Sequence, residues 1–271
     1  MHEEIYEAIL NAKREGKGCV LVTVVDKKGS GPARQGGKML ITEDGRHIGT
    51  IGGGSLEQIA IKRALSVMKT RKPLLEKYNL NEKGNGIVLS DMVCGGNVMV
   101  FYEYVGAGYP VYVFGAGHVG KHVIELINNM DFYVHAIDPR KEFVADLPEG
   151  VKIHNTGYTD FFKSSPRLQD SFVFVATPNH HSDLEVLKGI YSQKEVPLYV
   201  GLLASKKKAK TIIEELKAEF GDISLSNLYT PCGLDIGGDT PFEIALSVVS
   251  EILGIKNKKD NLPHKRMTWY I

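Results

Sequence analysis

The residues best placed to do chemistry in this chain are glycines, one cysteine and a few polar side chains set among them. Gly115, Gly117 and Gly120 form G-x-G-x-x-G in VYVFGAGHVG, residues 111–120. In such a turn the first glycine allows the tight bend. The second admits a pyrophosphate close to the backbone, and the third lets a helix pack on its strand. Free N–H groups at the helix start and the helix dipole then favour an anion. His118, inside the turn, reads as a spacer or phosphate neighbour. Asp138 stands eighteen residues after Gly120, with Arg140 two residues further. A carboxylate at that distance is suited to ribose hydroxyls. Thr177 ends the apolar run FVFVAT, and His180 and His181 follow it. They lie at a strand's carboxyl end, where ligands bind in such sheets. The two histidines are candidates for acid–base work, or simply a polar loop beside a nucleotide.

A second group lies upstream. GSGPARQGGKML, 29–40, and GTIGGGSLE, 49–57, are dense in glycine. Glycine weakens helices and strands, so this density asks for a reason. One reason is close approach of backbone to an anionic ligand at the GGGS helix start, with Arg34 and Lys38 adding positive charge. The other is a set of turns and bulges in a small β-rich domain. Cys94 sits in DMVCGGNV. A thiol in an open glycine loop is exposed and reactive, whereas a free cysteine is more commonly a small buried residue. Cys19 lies in an apolar strand and reads as core. Cys232, flanked by glycine in TPCGLDIGG, is open to either reading.

These residues need elements to hold them. Apolar spacing predicts a helix over 3–15, a strand over 19–26 and a hairpin from KMLIT and HIGTI. A helix follows GGG, and Ser55 and Gln58 have the spacing of a capping box for it. Strands are expected at 72–79 and 97–105. GAGYP, 106–110, marks a boundary. Beyond it strands at 111–114, 132–137, 151–154, 171–176 and 197–201 alternate with helices at 118–129, 182–192 and 205–218, the pattern of a parallel sheet with helices on its faces. TPFEIALSVVSEILG, 240–254, is a helix with Thr240 as cap, Pro241 at its first position and Glu243 completing the box. The predicted fold class is α/β. It comprises an N-terminal α+β domain with a mixed or antiparallel sheet (1–106), a Rossmann-type doubly wound domain (107–225) and a C-terminal segment (226–271) of open packing side.

Composition narrows the functions. The chain has 271 residues, formal net charge +1 and 43% apolar residues. That is enough for two domains, with no basic balance to suggest nucleic acid. No apolar run reaches the roughly 18 residues of a membrane span. The N-terminus lacks the basic start and apolar core of a signal peptide. Three widely spaced cysteines argue against a disulfide framework, and no pair has zinc-ribbon spacing. The expectation is a soluble protein of a reducing cytoplasm.

Taken together, these segments resemble one family. GSGPARQGGKMLI, GTIGGGSLE and CGGNVMVFYE look like the N-terminal domain of the XdhC/CoxI proteins. VYVFGAGHVG, Asp138-Pro139-Arg140, ATPNHHSDLEVL, GLLASKKK and PCGLDIGGDTPFEIALSVVSEIL look like their Rossmann domain and C-terminal segment. The resemblance runs in order over residues 5–254. It implies an accessory factor for a molybdenum hydroxylase such as xanthine dehydrogenase. Such a factor binds molybdenum cofactor, helps a cysteine desulfurase add the terminal sulfido ligand, and delivers the cofactor to the apo-enzyme. It stands outside the mature enzyme's own subunits, and a homodimer is implied. The matching positions are Gly52, Gly53, Gly54, Ser55 and Glu57, then Cys94, Gly95 and Gly96, and the GSGPARQ loop with Arg34 and Gln35. Cys94 is the implied molybdenum or sulfur contact. Cys232 departs from the pattern of many members and receives no family role. A different class stays open beside this one: an NAD(P)- or FAD-dependent oxidoreductase using the GAGHVG turn. So does a binding module in which NAD(P) or another nucleotide at the Rossmann site controls delivery.

Overall fold

Along Cys19–Gly29 (β1), residues 20, 22 and 24 are buried valines, while Leu21 and Thr23 are half-buried. This is the two-residue period of a strand with one face on a core. The computed structural model describes residues 2–29, 32–79, 88–89, 96–164 and 166–259. They fall into two units, Met1–Gly108 and Tyr109–Ile271. No described helix is long and apolar enough to cross a membrane.

The first unit contains α1 (His2–Arg14), β1, β2 (Lys38–Thr42), β3 (His47–Thr50), α2 (Gly54–Thr70), β4 (Leu74–Asn79), β5 (Val88–Leu89) and β6 (Gly96–Tyr104). The strands form one sheet in the order β3-β2-β1-β6-β4-β5. Neighbours are antiparallel apart from the parallel β4–β5 pair. Leu56, Ala60, Ala64 and Val67 of α2 share a core with Val20, Val22, Val98, Val100 and Tyr102. Ile5 and Ala12 of α1 form a separate cluster with Cys19 and Leu40.

The second unit holds β7 (Tyr109–Phe114), α3 (His118–Asn128), β8 (Phe132–Ile137), α4 (Lys141–Val144), β9 (Lys152–His154) and α5 (Tyr158–Lys163). It continues with β10 (Phe172–Val175), α6 (His180–Tyr191), β11 (Tyr199–Leu202), α7 (Lys206–Phe220), β12 (Leu228–Tyr229) and α8 (Pro241–Lys256). Its sheet runs β12-β11-β10-β7-β8-β9, parallel throughout. From the β9 edge this is the Rossmann order 3-2-1-4-5-6, which reverses between β7 and β10, the kind of switch point at which ligands bind in such sheets. All residues of β10 and β11 are buried, as a sheet covered on both faces requires.

Two details refine the expectations. Helix α8 begins at Thr240 with its capping box complete and Pro241 in the first turn. Its Ala245, Val248 and Ile252 share a core with Val111 and Val113 of β7 and Val123 and Ile127 of α3, so it packs within the second unit. Helix α2, by contrast, does not start as expected. Its cap is Gly53 rather than Ser55, with no side-chain cap bond. Gly52, Gly53 and Gly54 all have positive φ, at 130°, 79° and 64°. That conformation suits glycine and lets the helix begin ahead of the serine.

Candidate functional site

In the first unit, strand pairing collects motifs that are far apart in sequence. Gly29, at the end of β1, pairs with Gly96, at the start of β6. The pair joins the entrance of the GSGPARQ loop to the residue two places after Cys94. Cys94 and Gly95 themselves lie outside the described residues. A β-carbon on Gly52 would come within 2.7 Å of the Ala33 backbone, so the GGG turn is packed directly on the loop that carries Arg34 and Gln35. Arg34 and Gln35 are exposed, and the Gln35 amide donates to the Val25 carbonyl at 3.1 Å. Lys38 donates to the Thr23 hydroxyl.

Glu57 holds this turn. One carboxylate oxygen accepts from Thr50 Oγ1 (2.5 Å), Gly53 N (2.9 Å) and Ile51 N (3.1 Å). Burial pushes its carboxyl up, yet these bonds outweigh burial and leave it below the usual range. The charge stands near a helix start, where the dipole also favours it. Gly53 and Ile51 therefore already serve an internal anion. The first-turn N–H groups of α2 have no side-chain cap, and Ser55 Oγ is buried without a hydrogen-bond partner. A helix N-terminus without a side-chain cap presents backbone N–H donors of the kind that bind a phosphate.

In the second unit the glycine turn sits between β7 and α3. Two of its glycines answer to the chain itself. A β-carbon on Gly115 would lie 2.2 Å from the Ala176 carbonyl oxygen, and one on Gly120 would lie 1.9 Å from that of Gly115. Gly117 is different: its φ is −66° and a β-carbon there would touch nothing within 4 Å. No protein atom demands glycine at that place, and the open space is what a pyrophosphate would fill. His118 begins α3 and is exposed.

Asp138 follows β8 and is fully buried. Its Oδ2 accepts from Ala116 N (2.9 Å) and Arg140 Nη2 (2.7 Å), and its Oδ1 accepts from Arg140 N and Nε (both 2.9 Å). Burial raises its pKa, but the Arg140 bonds and the Ala116 N–H more than reverse this, so the group stays ionised. Arg140 also lies over the Phe143 ring at 3.9 Å. Thr177 closes β10 and is tied to buried Asp183 through N (3.0 Å) and Oγ1 (2.5 Å), and Asp183 in turn meets Lys208. His180 pairs with Glu215 at 3.0 Å, and His181 lies 3.6 Å from Glu185 on the same helix. Burial pushes the thiols of Cys19, to about 11, and Cys232 well above their ordinary value, which keeps both protonated.

Tyr158 was not legible as a site residue. It opens α5 with 5% exposure, and its ring lies 6.2 Å from that of Phe114, the residue before Gly115. Its hydroxyl is buried without a hydrogen-bond partner. Burial, with Asp138 nearby, raises its pKa and keeps it a donor.

The chain is similar to known proteins. Residues 111–252 match the family described as XdhC Rossmann domain, and residues 12–79 match the XdhC and CoxI family. The protein YqeB of Escherichia coli (strain K12) is 32% identical over 252 residues, which are 91% of this chain and 45% of YqeB. A Bacillus subtilis (strain 168) protein, named as a probable subunit of xanthine dehydrogenase, is 22% identical across 93% of this chain and 96% of its own length. The molybdenum cofactor insertion chaperone PaoD of Escherichia coli (strain K12) is 31% identical over 110 residues, 41% of this chain and 34% of PaoD. This chain thus spans about half of YqeB and a third of PaoD. A crystal structure described as a xanthine dehydrogenase from Bacillus halodurans superposes on 96% of this chain and 97% of its own, with TM-score 0.50 and 20% identity, a likeness of fold.

Proposed function

The chain belongs to the XdhC and CoxI family, and from that premise we propose that it is an accessory factor of a xanthine dehydrogenase-type molybdenum hydroxylase. It takes up molybdenum cofactor as cargo, presents it for sulfuration by a cysteine desulfurase, and passes it to the apo-enzyme. It acts in the cytoplasm as a homodimer and is not itself the oxidoreductase. The observation that carries this reading is the Gly29–Gly96 pair with Gly52 packed on Ala33. These contacts gather the GSGPARQ loop, the GGGS turn and the approach to Cys94 in one unit. The names of PaoD and the Bacillus subtilis relative support the same assignment.

The cargo is anionic through its phosphate and soft at its metal. The uncapped start of α2, the partnerless Ser55 hydroxyl and exposed Arg34 suit the phosphate. A Cys94 thiolate suits molybdenum or a sulfur-transfer step. Glu57 is the positioning residue that shapes the turn. Gly95, Gly96 and Gln35 complete the proposed set.

The test is to isolate the full chain from cells that make the cofactor, then measure bound molybdenum and pterin per chain. The wild-type protein retains both. Cys94→Ala keeps the fold and loses them. Wild-type protein free of pterin would overturn the reading, and unchanged retention by the variant would assign Cys94 to packing. A second reading, an NAD(P)- or FAD-dependent oxidoreductase, draws on the open space at Gly117. It requires the isolated protein to reduce NAD with a purine or aldehyde at useful rates.

A further inference from the structure

We propose that the crevice of the second unit takes a dinucleotide whose adenosine ribose carries a phosphate, with Arg140 as the residue that selects it. This rests on reading the crevice as a nucleotide site, and it adds what the ligand must carry. The support for a ligand there is twofold. Gly117 faces space that no protein atom fills, and the Tyr158 hydroxyl is a buried donor without an acceptor. Tyr158 belongs to the crevice because its ring packs by Phe114, one residue before the glycine turn.

The selection follows from counting lone pairs. An acidic residue after the second strand ordinarily accepts from the ribose 2′-hydroxyl. An ionised carboxylate has about four acceptor positions. At Asp138 four N–H donors already fill them: Ala116 N, Arg140 N, Arg140 Nε and Arg140 Nη2. The carboxylate is also fully buried. A ribose hydroxyl seeking an acceptor finds none left there. Its charge is balanced by the guanidinium bound side-on to it.

What the chain presents instead is donors. Arg140 commits Nε and Nη2 to Asp138 and one face to Phe143, which fixes the plane of the guanidinium. Nη1 and the outer face remain, and 31% of the side chain is exposed. A guanidinium held this way suits a phosphate at its free edge and a purine on its free face. Lys141, exposed at the start of α4, adds a second cation. Asp138 is then a positioning residue. It aims Arg140 and anchors the Ala116 N–H in the glycine turn.

The experiment is calorimetric titration of the purified full chain with NADP+ and with NAD+. Arg140 contacts to a doubly charged phosphate are worth about ten- to a hundredfold in affinity, so NADP+ binds tighter than NAD+ by that factor. Arg140→Gln brings NADP+ down to the NAD+ value, and Arg140→Lys keeps part of the preference. Because removing Arg140 leaves Asp138 under-partnered, thermal melts accompany the variants. The wild-type comparison decides by itself if they unfold. Tyr158→Phe weakens both nucleotides and leaves their ratio unchanged. NAD+ binding as tightly as NADP+ would overturn the selection and leave a nucleotide site. Binding of neither at millimolar concentration would overturn the nucleotide reading too.

Discussion

A β-carbon on Gly120 would sit 1.9 Å from the carbonyl oxygen of Gly115, so the third glycine of the turn is required by the first. Gly117, three residues earlier, meets nothing. Three glycines of one motif thus serve two purposes. Gly120→Ala overpacks a rigid backbone contact and costs about 1–3 kcal/mol, read as a lowered urea midpoint. Gly117→Val keeps the midpoint of the wild-type protein and blocks nucleotide binding. Equal destabilisation by both substitutions would show that the turn is structural alone.

Glu57 accepts three hydrogen bonds on one oxygen. Glu57→Ala leaves Ile51 N, Gly53 N and the Thr50 hydroxyl without that acceptor. At a partly exposed site water recovers part of the loss, so about 1–2 kcal/mol is expected. The readout with most resolution is limited proteolysis, with faster cleavage at Gly52–Gly54. Its depressed pKa sets the sign in acid. The stabilisation is complete above the ordinary carboxylate range and is lost as pH falls through the lower folded value. Asp138 follows the same sign.

His135 and His154 lie in stacked contact, Nδ1 to Nε2 at 2.9 Å. Burial, then the His154 and Lys152 charges, push His135 down to about 3, and Tyr112 and Tyr133 pack on its ring. The folded chain keeps it neutral, whereas the unfolded chain protonates it near pH 6.5. Stability therefore falls as pH drops from about 6.5 toward 3. His135→Phe flattens that slope, measured as urea midpoints at pH 7 and pH 5. An unchanged slope would assign the acid sensitivity elsewhere.

Glu251 of α8 accepts from Tyr199 Oη on β11 (2.6 Å) and from Gly233 N (2.9 Å) on one oxygen. Glu251→Ala strands a buried hydroxyl and a half-buried N–H, at about 1–3 kcal/mol. Hydrogen exchange is the measurement, with protection lost at Gly233 and along α8. Tyr199→Phe removes only one donor and costs less.

Local chemistry was the part most legible in the sequence. The Rossmann turn and the Thr240–Pro241–Glu243 start of α8 each depend on residues within one or two turns of chain, and the structure shows both as expected. The start of α2 was misread because three successive positive-φ glycines let the helix begin before Ser55. The sequence alone leaves α8 free to pack on the Rossmann sheet or to cross back to the N-terminal domain, because its apolar face suits either core. Long-range pairings such as Gly29 with Gly96 leave no trace in either segment alone. The saturation of Asp138 was equally hidden, since it depends on the rotamer of Arg140. Tyr158 gave no warning, as a single tyrosine at a short helix start looks like any core aromatic.

The four N–H bonds on Asp138 carry one more consequence. Ala116 belongs to the phosphate end of the crevice and Arg140 to the ribose end, and both hold the same buried carboxylate. A ligand that draws the Arg140 guanidinium outward leaves that charge held by the Ala116 and Arg140 backbone N–H groups alone, so the two ends would exchange free energy through a single side chain. Binding at one end changes affinity at the other by an equal and reciprocal amount. Fragments of a dinucleotide, offered separately, would therefore bind with a cooperativity that has Asp138 as its hinge.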